Sequence, residues 1–108
     1  MECVSVEFEK KATPDEVAVV LARFSALPHE LKLPSAPEWP VIVTEEKDRP
    51  QPRFDRDAGN GMSAVVGRIR ECPVFDIRLV VLSHNTIRGA AGAAILNAEL
   101  MSAQGLLE

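Results

Sequence analysis

The sequence predicts a single α+β domain in which helices cover a mixed or antiparallel sheet. Three observations predict this class. At 108 residues the chain has room for one domain at most. Segments 3–9, 62–69 and 74–82 alternate apolar and polar residues, as half-buried strands do, and a short β-branched run covers 41–44. Two further segments place apolar residues at helical spacing.

The composition is ordinary for a soluble globular protein, with 46% hydrophobic and 26% charged residues. The net charge of −4 leaves no strongly basic face, so nucleic acid is not expected as a partner. There is no run of about 18 apolar residues, so no membrane span is expected. Met1 leads directly into a strand pattern, so no signal peptide is expected and the predicted location is the cytoplasm.

The first elements are a strand and a helix. Cys3 to Glu9 alternates, with Val4, Val6 and Phe8 on one face. Thr13 and Glu16 then form the pattern of a capping box at the start of a helix. The predicted apolar face of that helix consists of Val17, Val20, Leu21 and Phe24, and the helix should end before Pro28.

The middle of the chain predicts irregular structure around one short strand. Residues 27–39 contain three prolines and predict an extended connection. Residues 41–44 predict a strand. Residues 45–61, rich in charge and containing two prolines and two glycines, predict a long loop, and loops of that length are often functional.

The last third predicts a hairpin and a long helix. The strands 62–69 and 74–82 are joined by Glu71-Cys72-Pro73, which favours antiparallel pairing. The helix should run from about Ile87 to Ala103, with Gly105 as its stop. It carries two apolar stripes, so it should pack against two layers. One stripe is Ile87, Ala91, Ala94, Ile95, Ala98 and Met101; the other is Gly89, Ala93, Leu96, Leu100, Ala103 and Leu107.

Candidate chemical residues are few. Cys3 and Cys72 form neither a metal spacing nor a redox pair, which favours two reduced thiols, although a catalytic role for Cys3 stays open. No metal-ligating set is predicted. The Gly89–Gly92 run lacks a dinucleotide fingerprint and indicates either close helix packing or a helix start facing a ligand.

Two further sets leave alternatives open. Asn85 and Thr86 could cap the last helix or meet a ligand, and His84 could be a general base or a hydrogen-bonded junction residue. The mixed charges of the long loop indicate a network of ion pairs or, alternatively, an anion site. Those charges are Asp48, Arg49, Arg53, Asp55, Arg56 and Asp57.

Two sequence motifs indicate a resemblance to a known family. They are Arg-Pro-Gln-Pro-Arg at 49–53 and Ser-His-Asn-Thr-Ile-Arg-Gly-Ala-Ala-Gly at 83–92. In this order they closely resemble the C-terminal end of aspartate-semialdehyde dehydrogenases of the archaeal and fungal type. The related malonyl-CoA and succinyl-CoA reductases share the plan and stay open as alternatives.

The resemblance implies a role within an oxidoreductase of amino-acid biosynthesis that reduces aspartyl phosphate to aspartate semialdehyde with NADP. It implies that residues 1–108 are part of a catalytic and dimerisation domain built like that of glyceraldehyde-3-phosphate dehydrogenase. The NADP-binding N-terminal domain and the family's Asn-Cys and Gly-His catalytic strings are absent from this sequence. The chain would begin just after the catalytic histidine, so it contains no catalytic residue and is expected to be inactive alone.

The resemblance also implies partners and one site. Asn85 and, secondarily, Thr86 match the junction that reaches the nicotinamide end of NADP. The final helix should pack on the missing nucleotide-binding domain through its second apolar stripe. Self-association as a homodimer or larger species is expected from the sheet and the 49–62 segment. A stand-alone, non-catalytic interaction module remains the alternative function.

Overall fold

The computed structural model describes residues 1–107, which form one four-stranded sheet with helices packed around it. The strands are β1 (Glu2–Val6), β2 (Val41–Val43), β3 (Ala64–Glu71) and β4 (Ile77–Leu82). The helices are α1 (Pro14–Ala22), α2 (Leu27–Glu30), α3 (Pro52–Asp55) and α4 (Gly92–Ala103). A 3₁₀ turn covers Ala58–Gly61 and a π-helical turn covers Ile87–Ala91. None of the helices within residues 1–107 has the length and apolar character to cross a membrane.

The sheet is mixed, as the sequence predicts. Its strand order is β1-β4-β3-β2. The β1–β4 and β3–β4 pairs are antiparallel, whereas β2 and β3 run parallel. The predicted hairpin is therefore confirmed, and the parallel pair is made possible by the long connection between β2 and β3, because parallel neighbours need a crossover.

One face of the sheet is covered by α1. Val66, Ile77 and Leu79 form its buried centre, and Val17 and Leu21 of α1 pack against them. Residues on one face of a sheet alternate with those on the other. The opposite face accordingly holds Val65, Val80 and Leu82, all nearly inaccessible. The segment around Pro50 covers that face, because it lies directly against Gly67 of β3.

The predicted capping box is present at the start of α1. The Glu16 backbone N–H donates to the Thr13 hydroxyl at 3.3 Å, and the Thr13 N–H donates to the Glu16 carboxylate at 2.8 Å. The predicted apolar face is wrong in two places, since Val20 and Phe24 are 70% and 52% exposed. The helix ends at Ala22, before Phe24, and it meets the sheet with the row that contains Val17 and Leu21.

The two segments predicted as irregular contain short helices instead. Pro28 lies in the first turn of α2 and Pro52 opens α3. Proline is favoured at the first helical position, because the N–H that it lacks would have no partner there. Pro28 and Pro52 therefore mark helix starts. Strand bounds also shift, because β3 bulges at Arg68, which has a φ of 54°, and continues to Glu71.

The last helix ends as predicted but begins differently. Gly105 adopts a φ of 69°, and the Leu106 N–H returns to the Met101 carbonyl at 2.9 Å. The first turn, Ile87–Ala91, is π-helical rather than α-helical. The stripe that contains Leu96 was expected to face another domain; Leu96 itself does not, because it is only 6% exposed within this chain. The outward stripe is the one with Ile95 and Met101, which are 55% and 42% exposed.

Candidate functional site

The candidate site is the turn that joins β4 to the last helix. Ser83–Thr86 leave the sheet at the carboxyl end of β4, and the chain then winds through the π-helical turn into α4. The Gly89 N–H donates to the His84 carbonyl at 3.0 Å, and the Ala91 N–H donates to the Thr86 carbonyl at 3.1 Å. Each of these hydrogen bonds joins residues five positions apart, which is the π-helical pattern. Asn85 and Thr86 are exposed at the start of the turn.

His84, and not Asn85 or Thr86, supplies the capping side chain. Its Nδ1 accepts the Ile87 N–H at 3.3 Å and lies 3.3 Å from the Thr86 hydroxyl. Nδ1 must therefore be unprotonated in this arrangement, with the ring proton on Nε2. This geometry agrees with the interpretation of His84 as a hydrogen-bonded residue of the strand-to-helix junction. The Asn85 amide takes no part in the capping bond.

The base of the turn is built from glycines that allow close approach. A side chain at Gly61, whose φ is 79°, would collide with Ile87, and one at Gly92 would collide with Met62. Gly89 has ordinary van der Waals space around it. The close-packing interpretation of the glycine run thus holds at Gly92, where the helix meets the segment before β3.

A hydrogen-bonded clamp that sequence reasoning missed lies two helical turns further along. The Glu99 carboxylate accepts the Ser35 backbone N–H at 2.9 Å and the Ser35 hydroxyl at 2.8 Å. The two residues are 64 positions apart. The available signal was the placement of Glu99 three residues after Leu96, which puts a carboxylate on the same face as a large apolar side chain.

The charged segment after β2 forms ion pairs, as one of its two interpretations requires. Asp55 is 5% exposed and binds the Arg49 guanidinium through both carboxylate oxygens. It also accepts the Gln51 N–H at 2.6 Å. The Arg49 contact is the main cause that holds the pKa of Asp55 below its usual value, against the opposing effect of burial. Arg56 pairs with Asp57 at the surface.

The cysteines lie outside this site. Cys3 is exposed on β1, and Cys72 is half-buried in the β3–β4 connection. Hydrogen bonds from the Phe75 and Val74 backbones lower the pKa of the Cys72 thiol. Among residues 1–107, no three His, Cys, Asp or Glu side chains converge as a metal site would require.

Comparison with known proteins gives the family. The family described as "Semialdehyde dehydrogenase, dimerisation domain" matches residues 1–88. The chain belongs to this family. The aspartate-semialdehyde dehydrogenase of Candida albicans, solved with NADP, shares its α+β fold and superimposes with a TM-score of 0.86. That match has 42% identity and covers 97% of this chain and 30% of the other.

Curated relatives of the dimerisation domain carry two activities. An aspartate-semialdehyde dehydrogenase of Archaeoglobus fulgidus is 56% identical over 93% of this chain and 28% of its own length. The NADP-dependent malonyl CoA reductase of Metallosphaera sedula is 46% identical over 99% of this chain and 30% of its own length. The chain therefore spans about 30% of the length of the curated relatives it matches.

Proposed function

We propose that this chain is the dimerisation portion of an NADP-dependent aspartate-semialdehyde dehydrogenase and has no turnover alone. The complete enzyme would reduce aspartyl phosphate to aspartate semialdehyde. The nucleotide-binding domain and the catalytic cysteine and histidine would lie outside residues 1–108. The family match over residues 1–88 supports the dimerisation role, and the NADP-bound relative supports the cofactor.

Within that enzyme, Asn85 and, secondarily, Thr86 would contact the nicotinamide end of NADP. The observation that carries this assignment is that the Ile87 N–H donates to His84 Nδ1, while Asn85 takes no part in the cap and is exposed at the start of the turn. A side-chain amide both donates and accepts, so it can pair with the carboxamide of nicotinamide. Residues 1–108 would thereby orient the cofactor rather than carry out the chemistry.

Asn85→Asp in the complete enzyme tests this assignment. The change keeps the size of the side chain and removes the N–H donors. We expect weaker NADP binding by roughly 1–3 kcal/mol, the cost of losing a hydrogen bond in a buried site. Asn97→Asp is the matched control, because Asn97 is an exposed asparagine on α4. If the Michaelis constant for NADP and the turnover number are unchanged by Asn85→Asp, the residue has no cofactor role.

Malonyl-CoA reduction is the second candidate activity, favoured by the Metallosphaera sedula relative at 46% identity. The complete enzyme would be assayed with aspartate semialdehyde, phosphate and NADP, and separately with malonyl-CoA and NADPH. Turnover with malonyl-CoA alone would replace the first proposal.

A further inference from the structure

We propose that Glu99 is a positioning residue for the Asn85–Thr86 turn: by holding Ser35, it fixes the last helix, and hence the turn at its start, relative to the sheet. The proposal rests on the proposed function for the cofactor role of the turn. The positioning itself can be tested without cofactor.

Residues 33–40, here called the proline strap, are tied to the sheet. The buried Ser63 hydroxyl donates to the Trp39 carbonyl at 2.6 Å, and the Ala64 N–H donates to the Pro40 carbonyl at 3.0 Å. Ser63 and Ala64 lead directly into β3. The far end of the strap is therefore fixed to the sheet by two hydrogen bonds to consecutive residues.

The last helix, in contrast, is held to the rest of the molecule at few points. Leu96 is the buried side chain of α4, and Ile95 and Met101 face outward. Close contact at Gly92 fixes the first residue of the helix against Met62. A helix that is fixed at one end and otherwise held by apolar contacts can still rotate and tilt, since apolar contacts are not directional.

The Glu99–Ser35 clamp fixes the rotation and tilt of α4. Gly92, Leu96 and Glu99 are spaced four and three residues apart, so all three lie along one face of α4. Glu99 is seven residues from Gly92, about 10 Å along the helix axis. Both carboxylate oxygens are engaged, one by the Ser35 N–H and the other by the Ser35 hydroxyl. A hydrogen bond to a charged acceptor is stronger than one between neutral groups, and two bonds from one residue to one carboxylate also fix its orientation.

The test uses Glu99→Leu and Glu99→Gln in the full 108-residue chain. Leucine removes both hydrogen bonds and keeps high helix propensity. Glutamine can accept the Ser35 N–H and donate to its hydroxyl, so it should restore the clamp. The measurement is amide hydrogen exchange at Ile87, Gly89 and Ala91, whose N–H groups hold the turn closed.

We expect Glu99→Leu to accelerate exchange at these three amides by roughly tenfold, while the β3–β4 ladder is unchanged. Glu99→Gln should stay within about twofold of the parent. A purely structural role would accelerate turn and ladder amides together, which would overturn the proposal, as would no change at the turn. Should Glu99→Leu fail to fold, Ser35→Ala removes only the hydroxyl bond and must show the same selectivity at smaller amplitude.

Glu16→Leu is the matched control. Glu16 also accepts one backbone N–H and one hydroxyl, both from Thr13, but it lies on α1. Its loss should accelerate exchange at the start of α1 and leave the turn unaffected.

A second arm separates this proposal from the cofactor assignment. In the complete enzyme, Glu99→Leu should lower kcat/KM for NADP several-fold without changing KM for aspartate semialdehyde. If exchange at the turn responds but Asn85→Asp leaves NADP kinetics unchanged, the positioning role stands and the cofactor contact fails. If Asn85→Asp weakens NADP binding but Glu99→Leu leaves hydrogen exchange at the turn amides unchanged, the cofactor contact is supported and the positioning role is wrong.

Discussion

Asp55 organises the charged segment after β2 through three hydrogen bonds. Its carboxylate receives two from the Arg49 side chain and one from the Gln51 backbone. The Phe54 ring, exposed at the surface, lies under the same guanidinium, with 5.4 Å from the Arg49 Cζ to the ring centroid. Because Pro50 is adjacent to Arg49 and covers Gly67, this ion pair also fixes the cover of one sheet face.

Asp55→Asn should lower the free energy of unfolding by about 2–4 kcal/mol, because it leaves the Arg49 charge partly buried without its partner. Asp57→Asn is the control: its pair with Arg56 is exposed, with side chains 63% and 73% accessible, and should contribute about 0–1 kcal/mol. Urea unfolding monitored by circular dichroism measures both. Equal effects of the two substitutions would contradict the role assigned to Asp55.

The same carboxylate predicts a pH dependence. Arg49 lowers the pKa of Asp55 in the folded state, so the folded protein binds this proton less readily than the unfolded chain. The stabilisation is fully present above the ordinary aspartate pKa of 3.8 and is lost as the pH falls below it, through the lowered folded-state pKa. Unfolding free energies measured across that window should fall more steeply for the parent than for Asp55→Asn. Parallel slopes would show that Asp55 does not contribute.

At the candidate site, the sequence predicted the position of Asn85 but not the side-chain contacts around it. The position of Asn85 at a strand-to-helix junction was readable from Ser83-His84-Asn85-Thr86, and the structure puts it there. The sequence did not predict that His84 is the cap or that Glu99 binds Ser35. Both facts depend on where a side chain meets a backbone group after folding, and the Glu99 contact spans 64 residues.

Among the helices, local chemistry determines the starts and tertiary packing determines the inward faces. Thr13 and Glu16 predicted the start of α1, because a capping box is satisfied within four residues. Two equally apolar stripes on the last helix could not be ranked, because the choice depends on which one the sheet and its cover meet. In the folded chain Leu96 is the inward side chain, with 6% exposure, whereas Ile95 and Met101 face outward.

Leu96→Ala and Ile95→Ala form a matched pair on α4. We expect Leu96→Ala to lower the free energy of unfolding by about 2–4 kcal/mol, because it leaves a cavity in the core. Ile95 is 55% exposed, so Ile95→Ala should change it by no more than about 0.5 kcal/mol. Thermal or urea unfolding compares the two. The opposite ranking would place the other stripe inward.

The whole molecule is thin and open. Its extents are 51 × 33 × 19 Å, and its radius of gyration of 15.3 Å exceeds the roughly 13 Å expected for a compact chain of this length. Its accessible surface of 7557 Å² exceeds the roughly 5,900 Å² expected for 11.8 kDa. An open apolar cleft of about 340 Å³ lies between α1 and the β1–β4 pair, lined by side chains that include Phe8, Val20 and Leu79. Surface of this kind is normally covered by a partner.

Self-association follows from this exposed surface and from the family. Sedimentation velocity over a concentration series should show dimers or larger species of the 108-residue chain. Ile95→Asn with Met101→Gln, both outward on α4, should reduce nonspecific association without unfolding. A monomer at every concentration would contradict this prediction.

The isolated chain should also lack turnover. With aspartate semialdehyde, phosphate and NADP, we expect no rate above background, since loss of the covalent nucleophile costs several orders of magnitude. Adding a separately produced N-terminal portion that carries both the nucleotide-binding domain and the catalytic cysteine and histidine should restore activity; failure to do so would favour a stand-alone interaction module. Turnover by the chain alone that is abolished by Cys3→Ser would make Cys3 the nucleophile.

The pairing of β1 with β4 determines when the sheet can form during synthesis. Glu2 is synthesised long before its partner Val81. At about 5–20 residues per second, the first strand waits roughly 4–15 seconds for the strand that it joins. During that time Val4 and Val6 lack the β4 residues with which they pair, and their unpaired backbone groups can bond to another extended chain. The nascent chain is therefore most vulnerable to misassembly in the seconds before β4 emerges.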